Sequence, residues 1–215
     1  TEDTAYTYTV TAADVDSGDT VTLTGTTVPS WATFTASTGV LTGTPLNANV
    51  GDNSVVITAS DGNGGSVTDT FTIVVANTND APTITSTAVT SATEDSAYTY
   101  TVTAADVDSG DTVTLTGTTV PSWATFTAST GVLTGTPLNA NVGDNSVVIT
   151  ASDGNGGSVT DTFTIVVANT NDAPAVSSTA VTAATEDSSY SYSITTSDDD
   201  SDSSDSWTIT CTTCP

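Results

Sequence analysis

Residues 6–10 of the chain read Tyr6-Thr7-Tyr8-Thr9-Val10, and the same five residues return as Tyr98-Thr99-Tyr100-Thr101-Val102. In both stretches large apolar side chains alternate with threonine, which is the period of two expected for a β-strand with one buried face. Further short strands of this kind are predicted at residues 21–24, 33–35, 55–57 and 71–75. Because no segment shows a convincing helical period, the sequence predicts an all-β chain.

The two quoted stretches belong to a long internal repeat. Residues 5–82 match residues 97–174 without a change, and a third, divergent copy begins at Thr185. Thr1 and its equivalent Thr93 lie 92 positions apart, which is the length of a small domain and too long for one turn of a solenoid. Turn-rich segments such as residues 16–19 and 61–65 separate the strands, as is typical of an antiparallel β-sandwich.

We therefore expect tandem antiparallel Greek-key β-sandwich domains arranged as a linear array. The predicted boundaries are residues 1–81 for a first repeat that lacks its first strand, 82–173 for a second repeat, and 174–215 for a partial, divergent third repeat. Residues 83–92 are predicted to form the first edge strand of the second repeat.

The composition excludes several kinds of chemistry. The chain has no Lys, Arg or His and carries 25 acidic side chains, for a formal net charge of −25. Without histidine there is no imidazole base, and without lysine or arginine there is no phosphate clamp. A surface of this charge also repels nucleic acid and the anionic leaflet of a membrane. Carboxylate, hydroxyl and amide oxygens remain, and these are the ligands of hard divalent cations.

The acidic residues gather in predicted loops rather than along strands. In the first repeat the groups are Glu2 with Asp3, then Asp14, Asp16 and Asp19, then Asp61, and finally Asn77, Asn79 and Asp80. Clustered carboxylates repel one another unless a cation binds them, and the chain has no basic side chain to offer. Calcium takes six to eight oxygen ligands, so the sequence predicts calcium sites at these loops. Solvated turns are the alternative, because Asp and Asn favour turns.

The order of these motifs resembles a cadherin-type repeat. Glu2 is followed by Asp14-x-Asp16-x-Gly18, then by Ala59-x-Asp61-Gly62, and the repeat ends in Asn79-Asp80-Ala81-Pro82. Residues 38–45, Thr-Gly-x-Leu-x-Gly-Thr-Pro, resemble the cadherin-like, dystroglycan-type and Ig-like modules of large microbial surface proteins. The resemblance covers both full repeats and the start of the third.

The resemblance implies calcium at each junction between repeats. The implied ligands at the first junction are Glu2, Asn77, Asn79 and Asp80 with Asp106, Asp108 and Asp153. The implied ligands at the second are Glu94, Asn169, Asn171 and Asp172 with Asp198 and Asp200. Asp14, Asp16 and Asp61 are the corresponding acids of the first repeat.

Two departures from the family pattern bear on these sites. Residues 45–52 replace the family's Leu-Asp-Arg-Glu segment and remove expected bridging ligands. Asn77 and Asn169 stand where the family usually has Asp. Both departures predict fewer or more weakly held calcium ions at each junction.

The function expected from these features is non-catalytic and extracellular. A calcium-rigidified repeat array would form a cell-surface stalk, an adhesin shaft or a secreted fibre, with further repeats or other copies of the chain as partners and with cell-surface glycans or proteins as possible ligands. Two alternatives stay open. One is a filament subunit that polymerises by strand complementation, in which residues 174–215 complete the first repeat of a neighbour. The other is a carbohydrate-binding or accessory module of a secreted hydrolase.

Two further expectations concern single residue types. Trp31 and Trp123 each follow a Pro-Ser turn and precede a strand, so we expect largely buried rings that close one end of the sandwich core. Cys211 and Cys214 are the two cysteines of the chain, and an extracellular setting favours a local or intermolecular disulfide.

Overall fold

The computed structural model describes residues 1–200 and 208–213; residues 201–207 and 214–215, which include Cys214 and part of the predicted third repeat, lie outside the described residues. The chain divides into two compact units. Unit 1 contains Thr1–Ala81, Asp106–Asp111 and Asn155–Gly157, and unit 2 contains Pro82–Ala105, Thr112–Gly154 and Ser158–Pro215. A loop that belongs to the second repeat by sequence, Asp106–Asp111, is therefore part of unit 1.

Unit 1 is built from two three-stranded antiparallel sheets. Its strands are β1 (Tyr6–Thr9), β2 (Thr22–Thr27), β3 (Ala32–Thr35), β4 (Val40–Gly43), β5 (Gly51–Ser60) and β6 (Ser66–Val75). One sheet has the order β1-β4-β3 and the other has the order β2-β5-β6. A 3₁₀ turn, Asn47–Asn49, connects β4 to β5. The long β5–β6 hairpin closes at residues 61–65, where the sequence predicts a turn.

The apolar positions of the two sheets meet in the core of unit 1. Leu41 of β4 is 0% exposed, and Val55 and Ile57 of β5 are at most 1% exposed. Tyr6 and Phe34 of the first sheet pack against this centre, as do residues of β2 and β6. In β4 and β5 the buried residues thus lie on one face of the strand, as the period of two requires.

Unit 2 repeats this sandwich and adds strands to it. Its strands are β7 (Thr83–Ile84), β8 (Ser91–Thr93), β9 (Tyr98–Thr101), β10 (Ala104–Ala105), β11 (Thr114–Thr119), β12 (Ala124–Thr127), β13 (Val132–Gly135), β14 (Gly143–Ser152), β15 (Ser158–Ala168), β16 (Ala175–Val176) and β17 (Thr196–Ser197). The main sheets have the orders β12-β13-β9 and β11-β14-β15-β8, and β10-β7 and β16-β17 form two small pairs. The second 3₁₀ turn is Asn139–Asn141.

The prediction of one edge strand at residues 83–92 is wrong in detail. The segment forms two short strands instead: β7 pairs antiparallel with β10, and β8 pairs parallel with β15. Ile84, Ala88 and Ala92 pack against the core of unit 2, so the spacing of these apolar residues directs the segment across the sandwich rather than along one sheet.

The two units differ in the exposure of one equivalent tyrosine. Tyr100 is 4% exposed in unit 2, whereas the equivalent Tyr8 of unit 1 is 38% exposed.

The two tryptophans keep part of their surface exposed. Both side chains are half-buried. Trp31 Nε1 donates a 2.9 Å hydrogen bond to Asn53 Oδ1, and Trp123 makes the same bond to Asn145. Trp123 also meets the Tyr98 ring edge to face at 5.6 Å. Trp123 therefore packs against the core of unit 2, and Trp31 packs edge to face on the Tyr6 ring at 5.9 Å. Both rings are less completely buried than the sequence predicts.

The remaining expectations concern the chain end and membranes. Cys211 is disulfide-bonded. In the part of the chain that the structure describes, no helix has the length and apolar character needed to span a bilayer. The all-β prediction is confirmed.

Candidate metal centres

The first candidate centre is built around Glu2, whose side chain is turned into unit 1. The backbone N–H of Glu2 donates to the Ala76 carbonyl at 3.1 Å, and that of Asp3 donates to the Pro45 carbonyl at 2.8 Å. Asp3 adopts a left-handed backbone with φ of 55°, a conformation that Asp tolerates better than most residues. These contacts hold the Glu2 carboxylate inside the fold, where it is 1% exposed.

The Glu2 carboxylate has only one of its oxygens satisfied. Oε1 accepts a 2.7 Å hydrogen bond from the backbone N–H of Thr78. Oε2 is buried and has no hydrogen-bond partner. A buried carboxylate oxygen without a donor is costly, since it has lost water and gained nothing in return.

Asp108 brings a second buried carboxylate to the same place. Its residue is 6% exposed. Asn47 donates from Nδ2 to Asp108 Oδ1 at 2.7 Å, and the backbone N–H of Asp80 donates to Asp108 Oδ2 at 2.6 Å. One carboxylate oxygen from each of Glu2, Asp80 and Asp108 lies within 4.8 Å of the others. We call this set the Glu2 centre.

Unit 2 contains an equivalent arrangement 92 residues later, the Glu94 centre. One carboxylate oxygen from each of Glu94, Asp172 and Asp200 lies within 4.8 Å of the others. Glu94 is 1% exposed, its Oε1 accepts from the Thr170 N–H, and its Oε2 is buried without a hydrogen-bond partner. The Asp172 N–H donates to Asp200 Oδ2 at 2.7 Å. The orphaned oxygen is therefore a repeated feature of the fold.

The two centres differ in which asparagine donates a hydrogen bond to their aspartate from the later loop, Asp108 in one centre and Asp200 in the other. Asn47 contacts Asp108 in the Glu2 centre, whereas Asn169 Nδ2 donates to Asp200 Oδ1 at 3.0 Å in the Glu94 centre. The equivalent of Asn47 is Asn139, and its Nδ2 is buried without a hydrogen-bond partner.

Burial and like charges both act on the carboxylates of the Glu94 centre. Burial raises the pKa of the Asp172 carboxyl above its ordinary value, and the neighbouring charges of Asp95, Asp200 and Glu94 raise it further. With no Lys, Arg or His in the sequence, no side chain can neutralise this group. Three convergent carboxylates, one of which has a buried oxygen without a hydrogen-bond partner, have the donor chemistry and charge to hold a hard divalent cation.

A third acidic group lies in the loops of unit 1. One carboxylate oxygen from each of Asp14, Asp19 and Asp61 lies within 4.8 Å of the others. Asp61 Oδ1 already accepts from the backbone N–H groups of Asn63 and Gly65. Asp16 is exposed and is not part of this group; its N–H donates to Asp14 Oδ1 at 2.8 Å. The structure thus places Asp19, rather than the predicted Asp16, beside Asp14 and Asp61.

The other residues predicted as ligands differ in their contacts and in their exposure. Asn79 and Asn171 donate from Nδ2 to the carbonyls of Asp80 and Asp172. Asp106 and Asp198 each accept from the backbone N–H of the aspartate two residues later. Asn77 is exposed to solvent. Asp153, which belongs to unit 2, is buried, with 4% of its surface exposed.

The ligand set implied by the resemblance omits three side chains and one backbone group of these loops. Asn47 lies in the segment for which the sequence predicts no ligand, and Asp19 and Asp111 lie one turn beyond the Asp-x-Asp motif. Asp111 Oδ1 accepts from Asn155 Nδ2 at 2.8 Å, and its Oδ2 is buried without a hydrogen-bond partner. The spacing Asp14-x-Asp16-x-x-Asp19 was the available signal for Asp19. Nothing in the sequence singled out the Thr78 N–H.

Comparisons with known proteins support the predicted resemblance. Residues 1–76 and 81–168 match the model of a family described as "Putative Ig domain". The serine-rich adhesin for platelets of Staphylococcus aureus strain MRSA252 is 32% identical over 163 residues, which are 76% of this chain and 12% of the adhesin. The homologous adhesin of strain MSSA476 is also 32% identical, and the match covers 7% of its length.

Two solved structures are also similar. The human protocadherin-24 EC1-2 fragment is 20% identical with a TM-score of 0.47, over 75% of this chain and 88% of that fragment. An endo-fucoidan hydrolase of glycoside hydrolase family 107 is 30% identical with a TM-score of 0.38, over 79% of this chain and 27% of the hydrolase.

The chain therefore spans 12% or less of the length of these two adhesins. Adhesins act outside the cell, so the relationship confirms the predicted extracellular or cell-surface location and supports a structural repeat of a surface protein. The resemblance to repeats of large surface proteins is confirmed as well. Because the family match spans most of residues 1–168, the chain belongs to the Putative Ig domain family as a tandem array of its repeats.

Proposed function

We propose that the chain is a calcium-rigidified segment of a cell-surface adhesin or stalk, and that it has no catalytic role. The observation that carries this proposal is the buried Oε2 of Glu2, which has no hydrogen-bond partner although it lies beside Asp80 and Asp108. The same orphaned oxygen recurs at Glu94. A cation bound at each centre would supply the missing partner.

Calcium fits these centres better than other common cations. The side chains that converge are carboxylates, which are hard oxygen donors, and neither histidine nor a cysteine thiolate takes part. The linker backbone reaches the same place, because the Thr78 N–H contacts Glu2, and calcium accepts six to eight oxygens in flexible geometry. Magnesium demands near-ideal octahedral geometry and keeps several waters, which suits a largely buried carboxylate such as Glu2 less well.

The connectivity of the Glu2 centre explains how a cation would stiffen the chain. Glu2 comes from the start of the first repeat, Asp80 comes from the linker that follows it, and Asp108 comes from a loop of the second repeat. All three belong to unit 1. Calcium shared by these carboxylates would tie the linker and that loop to the body of the unit, so bending at the linker would require loss of ligands.

Near-identical copies suit a role in which each repeat adds length. Duplication extends a shaft, whereas catalysis needs a single site. The relatives at 32% identity carry the name adhesin, which is consistent with a shaft that presents a binding region elsewhere in a longer polypeptide. The proposed partners are further repeats of the same kind, and host or cell-surface molecules would be bound by the whole protein.

Isothermal titration of chelator-treated protein with calcium chloride tests the proposal. We expect saturable binding that Glu2→Gln removes at one centre and Glu94→Gln removes at the other. Asp69→Asn is the matched control, because it removes the same charge from an exposed position on β6 and should leave binding unchanged. Binding that all three variants weaken equally would indicate a diffuse ion atmosphere and would overturn the assignment.

A further inference from the structure

Asn47 places a neutral amide in the Glu2 centre, although the sequence predicts no ligand from its segment. Asn47 begins the 3₁₀ turn Asn47–Asn49. Its Nδ2 donates to Asp108 Oδ1 at 2.7 Å. The other side chains that converge on this point, Glu2 and Asp80, are carboxylates, so Asn47 is the hydrogen-bond donor among a group of acceptors.

An amide side chain can present either of two opposite ends to the same place. Rotation about the terminal torsion exchanges the N–H₂ donor for the carbonyl oxygen, and the two ends have nearly the same size. Facing a carboxylate, the N–H₂ end is attractive. Facing a cation held by the three carboxylates, only the oxygen end is attractive, since amide carbonyl oxygens are regular calcium ligands.

Asn139, the equivalent residue of unit 2, gives an independent observation. Asp200 Oδ1 accepts its hydrogen bond from Asn169 rather than from Asn139. Asn139 Nδ2 is then buried without a hydrogen-bond partner. A donor in this position is therefore not needed to satisfy the aspartate, and an orphaned N–H₂ group is unfavourable. Turning the amide would place an oxygen where the donor finds no acceptor.

We infer that Asn47 and Asn139 are neutral ligands of the two centres: their amide oxygens coordinate calcium, and their N–H₂ groups face the carboxylates only when calcium is absent. This inference rests on the proposed calcium binding and adds a ligand to it. With Ca²⁺ bound, a site of three carboxylates and one neutral amide has a net charge of −1. With a carboxylate in place of the amide, the net charge of the occupied site would be −2.

Two substitutions of Asn47 separate a ligand from a simple donor. If Asn47 coordinates calcium, Asn47→Ala should weaken binding at the Glu2 centre by about tenfold or more, whereas Asn47→Asp should not weaken it, because the new carboxylate keeps an oxygen ligand. If Asn47 only donates to Asp108, both variants lose the N–H₂ group that orients this carboxylate, and both should weaken binding. Weaker binding of Asn47→Asp, or equal or tighter binding of Asn47→Ala, would overturn the inference.

Each substitution is measured in a background that lacks the glutamate of the other centre. Asn47→Ala is measured in a Glu94→Gln background, and Asn139→Ala in a Glu2→Gln background, so that each isotherm is free of binding at the other buried centre. Asn47→Asp keeps an oxygen ligand and lacks the N–H₂ group, so it should bind calcium at least as tightly as the parent. Circular dichroism of each variant establishes that it is folded.

Asn49→Ala is the matched structural control. Asn49 lies two residues away on the same turn and accepts from the Leu46 N–H through Oδ1 at 2.9 Å. Its loss should lower stability and leave calcium affinity unchanged. If Asn49→Ala weakens binding as much as Asn47→Ala, the effect comes from the turn and the inference is wrong. If the parent chain binds no calcium, the proposed function fails before the role of Asn47 is reached.

Discussion

The backbone N–H of Asp80 donates a 2.6 Å hydrogen bond to Oδ2 of Asp108. This bond joins the linker after the first repeat to a loop of the second repeat, and both residues belong to unit 1. Asp172 and Asp200 repeat it at 2.7 Å in unit 2. The carboxylates of each centre are thus already held together without a cation, so calcium would bind to groups that need little rearrangement.

Replacing Glu2 with glutamine should have opposite effects in chelator and in calcium. In chelator the variant removes one of three converging negative charges and gives the orphaned Oε2 position a donor, so the free energy of unfolding should rise by about 1 kcal/mol. In calcium the variant loses a ligand and should gain less stability than the parent. Urea denaturation under both conditions measures the two changes.

Asp69→Asn controls for net charge in this experiment, since its exposed position predicts a change within about 0.5 kcal/mol under both conditions. A Glu2→Gln variant that is less stable than the parent in chelator would contradict the idea that the centre is strained by like charges.

Truncating Trp123 should destabilise unit 2 substantially. Trp123→Ala removes a ring packed on the core and on Tyr98, and we expect a loss of about 3 kcal/mol, the lower end for such changes because the ring is only half-buried. Trp123→Phe keeps a ring but leaves Asn145 Oδ1 without its donor, at about 1 kcal/mol. Denaturation curves of both variants measure these losses. Unchanged stability of Trp123→Ala would instead favour a surface role for the ring, such as a sugar platform.

Tyr98 should make the chain sensitive to alkaline pH. Burial, and secondarily the neighbouring Tyr100, raise the pKa of Tyr98 to about 12. Above about pH 10 the unfolded chain loses this proton and the folded chain keeps it, so stability is complete below about pH 10 and is lost as the pH rises towards about 12, by about 1.4 kcal/mol per unit. Denaturation at several pH values in this range measures the slope.

Tyr98→Phe should abolish this part of the slope. The variant also loses the hydrogen bond from the Tyr98 hydroxyl to the Val89 carbonyl, so it should start from a lower stability. Tyr8→Phe, which alters a more exposed ring, is the matched control and should keep the slope. Equal slopes in the parent and in Tyr98→Phe would contradict the assignment.

Gly39 should not tolerate a side chain. Its φ is +68°, and a Cβ atom would come 2.2 Å from the Val10 carbonyl oxygen. Both the left-handed backbone and the close approach oppose alanine, so Gly39→Ala should cost about 2 kcal/mol or more. Gly18→Ala is the control, because Gly18 also has positive φ but open space around it. Thermal unfolding of the two variants should rank Gly39→Ala as the less stable, and the reverse order would contradict the packing described.

The sequence predicts the sandwich because its strands carry their own signal. Alternation of Tyr6, Tyr8 and Val10 with threonine marks one buried face, and the structure places Tyr6 against the core as this pattern requires. The repeat then extends the same prediction to unit 2. The split of residues 83–92 between β7 and β8 was not predictable, because two- and three-residue strands are too short to show a period.

The candidate centres were predictable in part for a similar reason. Glu2, Asp80 and Asp108 could be named because carboxylates without basic partners are conspicuous and their motif order resembles a known family. Asn47 could not, because an asparagine in a turn is usually a turn former. Its contact with Asp108 depends on two segments that are 61 residues apart in sequence, and tertiary contacts of this range leave no local pattern.

Scanning calorimetry of the chain in calcium and in chelator tests the central claim most directly. Calcium that binds the folded chain must stabilise it by mass action, with a shift that grows as the free concentration exceeds the dissociation constant. We expect a higher melting temperature in calcium, at low ionic strength and constant pH, that chelator reverses and that magnesium reproduces only weakly. Superimposable melting curves in calcium and chelator would contradict the account.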